Sequence, residues 1–321
     1  MTALWAGELG EWQPLYRRTV IGVDRTTEPH RIRVDVPLRA PLTLAHQASV
    51  RRVTGGLREV GIEHLGVANA TTWSEAWSSR AVHAIAFVGV SDAWARDVAS
   101  WVSPGAPLVG PGSGAHLVSG GLLVASSKRV TIAECTFENA ENRRLGEGFL
   151  FEVRRSSEVL TRDCVAKNGG MNFNVGRGLG TSGSVWLRVQ SSGSAAMPLG
   201  PGNTQTLPAN NELHALATAN LFDSCAFDDG IDAVNRGALR YGNGQAARET
   251  TFWNVRGDEI VSMQLGLGYV IGSVGSTDVR TDPRLEGGTG TAPEDFVEGR
   301  GQGDLLVPAS LYEDQLQRRL A

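Results

Sequence analysis

Polar residues that could take part in chemistry recur at the ends of short strand-like segments of the sequence. His83 and His214 each begin such a segment, while Arg177 and Arg236 each follow one and precede a glycine. An imidazole can transfer protons near neutral pH, and a guanidinium at the mouth of a loop can hold a carbonyl or carboxylate group. We predict His83, Arg177, His214, Asp232 and Arg236 as catalytic residues. The alternative for each is structural, as a hydrogen-bonded core group or one half of an ion pair.

Aromatic and amide side chains near these segments could bind a substrate. Asn172 lies in one strand-like run, and Tyr241 lies in a long segment between two such runs. Trp73 and Trp77 are four residues apart, which on a short helix gives one aromatic face. That face could pack on the protein, stack on a sugar or line a closed pocket for an apolar molecule. We predict Asn172, Tyr241 and Trp77 as substrate-binding residues.

Several well-defined site motifs are absent from the sequence. No GxSxG, HExxH, CxxC or P-loop string occurs, so nothing supports a serine-hydrolase elbow, a zinc site or a nucleotide cradle. We expect no cofactor and no metal ion.

Composition excludes further classes of protein. The formal net charge is −4 and only two lysines occur, Lys128 and Lys167, whereas nucleic-acid binding needs a clustered basic surface. No apolar run approaches the ~18 residues of a membrane span. The first residues, MTALWAGELGEWQP, show no basic and apolar leader, and three cysteines cannot all pair. We therefore expect a cytoplasmic protein with a small-molecule substrate and neither a nucleic-acid nor a membrane partner.

The strand-like segments belong to an internal repeat. Residues 130–135, VTIAEC, align with residues 159–164, VLTRDC, at a distance of 29 positions. Looser copies lie at 93–98, 185–189 and 220–225, and a second alternating run precedes each copy, as in AIAFVG, LLVASS, FLFEVR, MNFNVG and LHALAT. Short alternating runs at such a period predict a solenoid of strands. Cys135 and Cys164, with Cys225 as a further member, should then stack inside it as an apolar ladder.

The repeat also predicts the turns and ends of the solenoid. Asn139, Asn168 and Asp229 each stand four residues after a cysteine, and these residue types tolerate the left-handed backbone of a tight turn. Because open strand edges need covering, we expect an N-terminal hairpin over the first level. Ser310 and Glu313 have the spacing of a capping box, which predicts a helix that closes the last level.

These features together favour an all-β, single-stranded, right-handed parallel β-helix. A propeller would need a longer period, and a jelly roll would show hairpin turns. We assign residues 1–57 to an N-terminal capping region and 58–278 to a β-helix of about seven levels. We assign 279–321 to a surface strap followed by the C-terminal helix.

The chain resembles a bacterial subgroup of the pectate-lyase-like β-helix superfamily over roughly residues 58 to 320. The resemblance rests on the repeat and on the strings NLFDSCAFDDGIDAVNRG, TTFWNV, GLGYVIGSVG and PASLYEDQL. It implies the β-helix fold, but the superfamily includes lyases, hydrolases, epimerases, esterases and inert adhesins. In its polygalacturonase-like hydrolases a Gly-His-Gly segment carries a histidine where this chain has Leu267.

The calcium-dependent lyases of the superfamily bind the metal through acidic residues on adjacent levels and abstract a proton with an arginine or lysine. Asp228, Asp229 and Asp232, with Arg236 and Arg240, offer a local version of that set. Because Asp229 also occupies a predicted turn position, we expect activity to survive chelation.

Three functions remain open. The first is an enzyme of secondary metabolism, such as polyketide metabolism, that acts on a small, mostly apolar molecule. It would be a cyclase, isomerase or lyase, for example a Diels-Alderase that closes an intramolecular [4+2] ring by holding one conformer. The second is a polysaccharide lyase or another carbohydrate-active enzyme. The third is a binding solenoid without catalysis. The longest insertions, at 66–82, 99–119, 191–210 and 237–248, should wall one pocket above the candidate residues.

Overall fold

Within the residues that the structure describes, the fold is mostly β, with two short α-helices. The computed structural model describes residues 15–144, 146–176, 180–194, 217–235, 247–282 and 292–321. The first strands are β1 (Val20–Asp24), β2 (Arg31–Val34), β3 (Gly61–Val67), β4 (His83–Val88), β5 (Ser91–Ser100), β6 (Gly120–Ala125), β7 (Lys128–Ala133), β8 (Thr136–Glu138), β9 (Phe149–Arg154), β10 (Leu160–Arg162), β11 (Val165–Lys167) and β12 (Met171–Val175). The remaining strands are β13 (Val185–Leu187), β14 (Gln190–Ser192), β15 (Leu221–Asp223), β16 (Ala226–Phe227), β17 (Ile231–Val234), β18 (Thr251–Trp253), β19 (Arg256–Gly257), β20 (Glu259–Met263), β21 (Tyr269–Ile271), β22 (Asp278–Arg280) and β23 (Phe296–Glu298). The α-helices are α1 (Trp73–Ser78) and α2 (Leu311–Leu320), and short 3-10 turns lie at Leu44–His46 and Gly303–Leu305.

Apart from the hairpin β1–β2, the paired strands run parallel and form three columns. The first column is β3–β5–β7–β10–β13–β15–β18–β21–β23, and the second is β5–β8–β11–β14–β16–β19. The third column has two described parts, β4–β6–β9–β12 and β17–β20–β22. The chain passes from the third column to the first and second and then returns one level further on, as in β6, β7, β8 and β9. The first column has nine levels within the described chain, two more than the sequence predicted.

Left-handed residues form the corners between the first and second columns. Glu134, Asp163, Arg188, Ser224 and Asn254 have φ between 51° and 58°. One residue in this conformation turns the chain sharply between two strands, and polar residues at such sites keep their side chains in solvent. The strands β7, β10, β13, β15 and β18 of the first column therefore each end at one of these corners.

Two of the three predicted turns are confirmed, and the third is built differently. Asn139 and Asn168 have φ of 56° and 57°, and Asn168 Nδ2 donates to Asn139 Oδ1 at 2.8 Å. At the third position the left-handed residue is Gly230, with φ of 80°, and not Asp229. Glycine adopts this conformation without strain, and the Asp229 carboxylate accepts a hydrogen bond from Ser191 at an adjacent level.

The core between the columns is a continuous stack of apolar side chains. Phe151 and Phe173 stack at 4.9 Å between ring centroids, and Trp186 and Phe222 stack at 6.0 Å. Burial of such rings is the main stabilising term of the fold. The residues of this stack alternate with residues that point outward along each strand.

The predicted cysteine ladder is present inside the stack. Cys135, Cys164 and Cys225 are free thiols with at most 2% exposure, and Val165 N donates to Cys135 O, which puts Cys135 and Cys164 on adjacent levels. Cys225 stands two levels beyond Cys164, because Val189 occupies the level between them. The ladder therefore consists of three cysteine side chains and the aliphatic side chain of Val189.

The predicted N-terminal hairpin forms, but its anchoring contacts lie on the side of the stack. Arg18 pairs with Glu158 at 3.0 Å, and Asp35 pairs with Lys128 and Arg129. Lys128 and Arg129 follow β6 and Glu158 follows β9, so these partners lie beyond the first level. The hairpin does not cap the first level as expected, because these ion pairs hold it against later levels of the stack.

The C-terminal segment also differs from its predicted arrangement. Ser310 caps α2 as expected, with its Oγ accepting a hydrogen bond from Glu313 N at 3.2 Å. The helix begins beside the first column, because Asp223 accepts hydrogen bonds from the Ser310 hydroxyl and Tyr312 N. Leu320 is exposed, so the helix does not close the last level. The predicted strap contains β22 and β23, which extend two columns.

Candidate functional site

Two of the four predicted site residues that the structure describes, His83 and Asp232, lie on the outward side of the third column. Phe151, Val153, Phe173 and Val175 belong to the core, so Glu152 and Asn174, which alternate with them, point outward. Glu152 and Asn174 are also in register on neighbouring strands. We call this surface, from His83 on β4 to Met263 on β20, the outer face.

The predicted catalytic residue His83 forms a buried pair with Glu152 on the outer face. His83 Nε2 lies 3.0 Å from Glu152 Oε2, and the two side chains are 6% and 0% exposed. His83 Nδ1 lies 3.2 Å from the carbonyl oxygen of Ala81. Since a carbonyl can only accept, Nδ1 carries a proton, and a further proton must lie between Nε2 and the carboxyl oxygen. The two side chains are thus joined by a hydrogen bond.

The neighbours of the pair fix its position. Ala81 N donates to Glu147 Oε2 at 2.7 Å, which holds the backbone that in turn orients the imidazole. Arg154 Nη1 lies 3.6 Å from the other oxygen of Glu152. Gly120 is in register with His83, and a Cβ at Gly120 would lie 2.4 Å from the imidazole ring. The ring therefore requires glycine at position 120.

The predicted substrate-binding residue Asn172 points to the inside of the stack. Its Nδ2 lies within 3.2 Å of four acceptors, Ala166 O, Ser191 Oγ, Ser192 O and Asp229 Oδ2, and its Oδ1 accepts from Gly169 N. Alternation with Phe173 would place it outward, but the strand departs from alternation at its start. The sulfur of Met171 lies 3.9 Å from Asn174 Nδ2, so Met171 is the residue that faces outward there. The Asn172 amide is fully used by the chain.

Asp232, the second described catalytic candidate, lies on the outer face among apolar side chains. Ile231 and Ala233 belong to the core, and Val234, Val261 and Met263 form a separate buried cluster. Asp232 is 3% exposed and is in register with Val261. The outer face is therefore mostly apolar, with a few polar groups, which is the usual inventory of a small-molecule site.

Trp77 lies on α1, where its ring packs against that of Trp73. The rings of Trp73 and Trp77 are 5.1 Å apart and tilted by 38°. Asn142 Nδ2 donates to the carbonyl oxygens of Ala76 and Ser79, which fixes the helix on the loop between β8 and β9. The pair is half-buried, so packing explains much of the aromatic face.

The loops predicted to wall a pocket are only partly described. The first two meet each other: Asn69 N and Ala70 N donate to His116 O, and Ser103 Oγ donates to Ala70 O at 2.7 Å. The other two predicted loops lie mostly outside the described residues. The candidates Arg177, His214, Arg236 and Tyr241 also lie outside them.

A serine–histidine contact that the sequence did not indicate occurs between Ser100 and His116. His116 Nδ1 lies 3.0 Å from Ser100 Oγ, and Asn139 Nδ2 lies 3.2 Å from His116 Nε2. The amide group can only donate, so Nε2 accepts and Nδ1 carries the proton. Burial lowers the pKa of His116 and keeps this ring neutral. The ring donates to Ser100 and cannot activate it as a nucleophile.

Within the described ranges, no three His, Cys, Asp or Glu side chains are grouped as metal ligands. Asp229, part of the predicted acidic set, accepts hydrogen bonds from Ser191, Ser194 and Asn172. Among the same residues no helix is both long and apolar enough to cross a bilayer.

Comparisons with known proteins found no similarity on which to name a family. No family model matches the chain, and neither a curated protein nor a solved structure matches it significantly.

Proposed function

We propose that the three columns form a single-stranded right-handed parallel β-helix of the pectate-lyase-like kind. The parallel pairing of successive segments and the repeated path from third to first to second column support this assignment. Left-handed corners at matching positions support it as well. In such a fold, side chains that point outward from one column share a continuous surface on which a ligand can lie.

We further propose that the chain is a cofactor-independent enzyme acting on a small, mostly apolar metabolite bound on the outer face. The observation that carries this proposal is that the outer face combines buried apolar side chains on β17 and β20 with a buried polar pair, His83 and Glu152, on β4 and β9. Polysaccharides instead require a groove rich in exposed polar and aromatic groups. The reaction class is that of a cyclase, isomerase or lyase.

An intramolecular [4+2] closure suits this surface. Two σ bonds form as two π bonds are consumed, so the product is an isomer of the substrate and no proton, electron or leaving group is exchanged. The apolar wall holds the substrate in its reactive conformer. Asn174, which is in register with Glu152, can donate a hydrogen bond from its amide to polarise a substrate carbonyl, and the His83–Glu152 contact holds the neighbouring strands in place.

A carbohydrate-active function is the second candidate, because one row of the first column presents half-exposed aromatic rings. Trp94, Tyr269 and Phe296 occupy the same outward row, and Tyr269 and Phe296 lie 6.1 Å apart. Sugars stack on exposed rings of this kind. This row lies on a different column from the outer face, so the two candidates are separable by mutation.

The test compares two probes on the purified protein. One is a linear molecule that carries a diene and a carbonyl-activated dienophile, whose cyclisation is followed by chromatography and mass spectrometry. The other is an oligogalacturonate with calcium, whose elimination product is followed by ultraviolet absorbance. The proposal predicts cyclisation of the first probe and no elimination from the second, and the reverse result would replace it with the carbohydrate function.

Variants locate the activity on the outer face. Gly120→Ala displaces His83 and should slow cyclisation by roughly tenfold to a hundredfold, the scale of one strong hydrogen bond. Leu123 is buried and in register with Glu152, so Leu123→Trp fills the apolar part of the outer face and should have a larger effect. Leu65→Ala, at an exposed apolar residue of β3 in the first column, is the control and should leave the rate unchanged. A full rate in Leu123→Trp would place the reaction elsewhere.

A further inference from the structure

A second candidate ligand site lies in the loop between β5 and β6, away from the outer face. The loop lines an open cavity of about 420 Å³. Its apolar lining includes Trp101, Val102, Pro104, Pro107 and Leu108. Trp101 and Leu108 are 52% and 94% exposed. A volume of this size is within the range of small-molecule sites.

The hydroxyl groups of Ser103 and Ser113 in this loop already form hydrogen bonds with backbone atoms of the chain. Ser103 Oγ donates to Ala70 O and accepts from Gly105 N at 3.2 Å. Ser113 Oγ donates to Leu108 O at 3.0 Å. The cavity wall is therefore preformed, and its own hydroxyl groups are already committed to holding its shape.

One buried carboxyl beside the cavity has no such use. Glu141 is 3% exposed, and neither of its oxygens has a hydrogen-bond partner within the described chain. Burial raises the pKa of this carboxyl, and the nearby Thr71 backbone N–H acts weakly in the opposite direction. A buried carboxyl without a partner is costly to the fold, so the group has a use that the folded chain alone does not supply.

Gly112 links the carboxyl to the cavity. A Cβ at this residue would lie 2.3 Å from Glu141 Oε1 and 3.3 Å from Cδ of Pro107, which lines the cavity. The space left by the missing side chain thus lies between the carboxyl oxygen and the cavity wall. The Glu141 carboxyl therefore borders the gap at Gly112.

We propose that this loop binds a small apolar molecule that carries an ammonium group. The apolar part packs on Trp101 and the prolines, and the ammonium donates to Glu141 through the gap at Gly112. The bound cation would supply the charge partner that the carboxylate lacks. This site is independent of the outer face and of the reaction proposed for it.

The test uses hexylammonium and its neutral counterpart hexan-1-ol as probes, with binding measured by calorimetry. The site predicts that hexylammonium binds at least about tenfold more tightly than the alcohol, the scale of a charge-assisted hydrogen bond. Glu141→Gln should abolish this preference and leave the affinity for hexan-1-ol unchanged. Equal affinities in the parent protein, or no binding of either probe, would overturn the proposal.

Two glycine variants keep the test informative if Glu141→Gln perturbs folding. Gly112 and Gly110 both have left-handed backbones, with φ of 84° and 80°, but a Cβ at Gly110 would meet no atom within 4 Å. The two alanine variants therefore carry similar backbone strain, and only Gly112→Ala blocks the gap. Gly112→Ala should lose the preference for hexylammonium, whereas Gly110→Ala should retain it. Loss in both variants, or in neither, would contradict the proposed route to Glu141.

Discussion

Asn172 and Asn174 lie two residues apart on β12, yet they belong to different parts of the molecule. Asn172 points into the stack and bonds with four neighbouring segments of the chain. Asn174 points to the outer face beside Glu152. Polar groups on the inner side hold the fold together by bonding with the chain. Polar groups on the outer side instead lie in an apolar surface, where we propose that a substrate binds. Changes on the inner side should therefore affect stability first, and changes on the outer side should affect function first.

The largest effect expected on the inner side is the protection of its thiols. Cys135, Cys164 and Cys225 are buried, and burial raises the pKa of Cys225 to about 12. Labelling requires opening of the core, so the native protein should react at least about a thousandfold more slowly than the unfolded chain. Mass spectrometry after timed alkylation measures this ratio. Complete labelling of the native protein within minutes would contradict the stacked core.

Removal of the Asn172 side-chain amide should lower the free energy of unfolding by more than removal of any single exposed hydrogen bond. Asn172→Ala leaves Gly169 N without its partner and removes one hydrogen bond each from Asp229 and Ser191, and should lower the free energy of unfolding by about 2–4 kcal/mol. Urea denaturation measures the change. The control is Asn168→Gly, which removes one exposed ladder bond to Asn139 at a left-handed position that glycine tolerates, and should cost about 1 kcal/mol or less. Similar losses in both variants would remove the distinction between a buried node and a surface bond.

The ion pair between Asp35 of the N-terminal hairpin and Lys128 should make the stability of the protein depend on pH in the acid range. Burial acts to raise the pKa of Asp35, but hydrogen bonds from Lys128 and Thr19 N, with the lysine charge, lower it to about 2 from its ordinary 3.8. A lowered pKa stabilises the fold above the unfolded value, and this term is lost as pH falls from about 4 to about 2. Asp35→Asn should thus lower stability by about 2 kcal/mol near neutrality. The difference from the parent protein should shrink across that window.

Urea midpoints at a series of pH values measure this dependence. Asp24→Asn, a change at an exposed carboxylate of the same hairpin, is the control and should have little effect on stability. A difference between Asp35→Asn and the parent protein that stays constant from neutrality to acid would show that the ion pair does not hold the hairpin.

The sequence predicted the parts of the fold that repeat. Alternation and the 29-residue spacing identified the strand segments and the buried line of Cys135 and Cys164, because the same short-range rule applies at every level. The end regions could not be placed from the sequence. Asp35 and Asp223 select their partners through contacts with residues far away in the chain, and no periodicity encodes such a choice.

The site was only partly predictable for a related reason. His83 was identified because it starts a strand. Its partner Glu152 has the sequence pattern of any outward residue, and only the register of the strands in the structure brings the two side chains together. Asn172 was assigned to the wrong side because β12 breaks alternation after Gly169 and Gly170. Glu141 has no sequence signal, since what distinguishes it is the absence of a partner in three dimensions.

The measurement that tests the central claim most directly is methyl NMR of the methionines in the presence of a probe. The chain has four methionines, and two of them, Met171 and Met263, lie on the outer face. Their signals can be assigned with Met171→Leu and Met263→Leu. We expect the linear diene–dienophile probe to shift both signals and an oligogalacturonate to shift neither. A shift of both signals by the oligogalacturonate, with none from the apolar probe, would contradict the assignment of the outer face to a small apolar substrate.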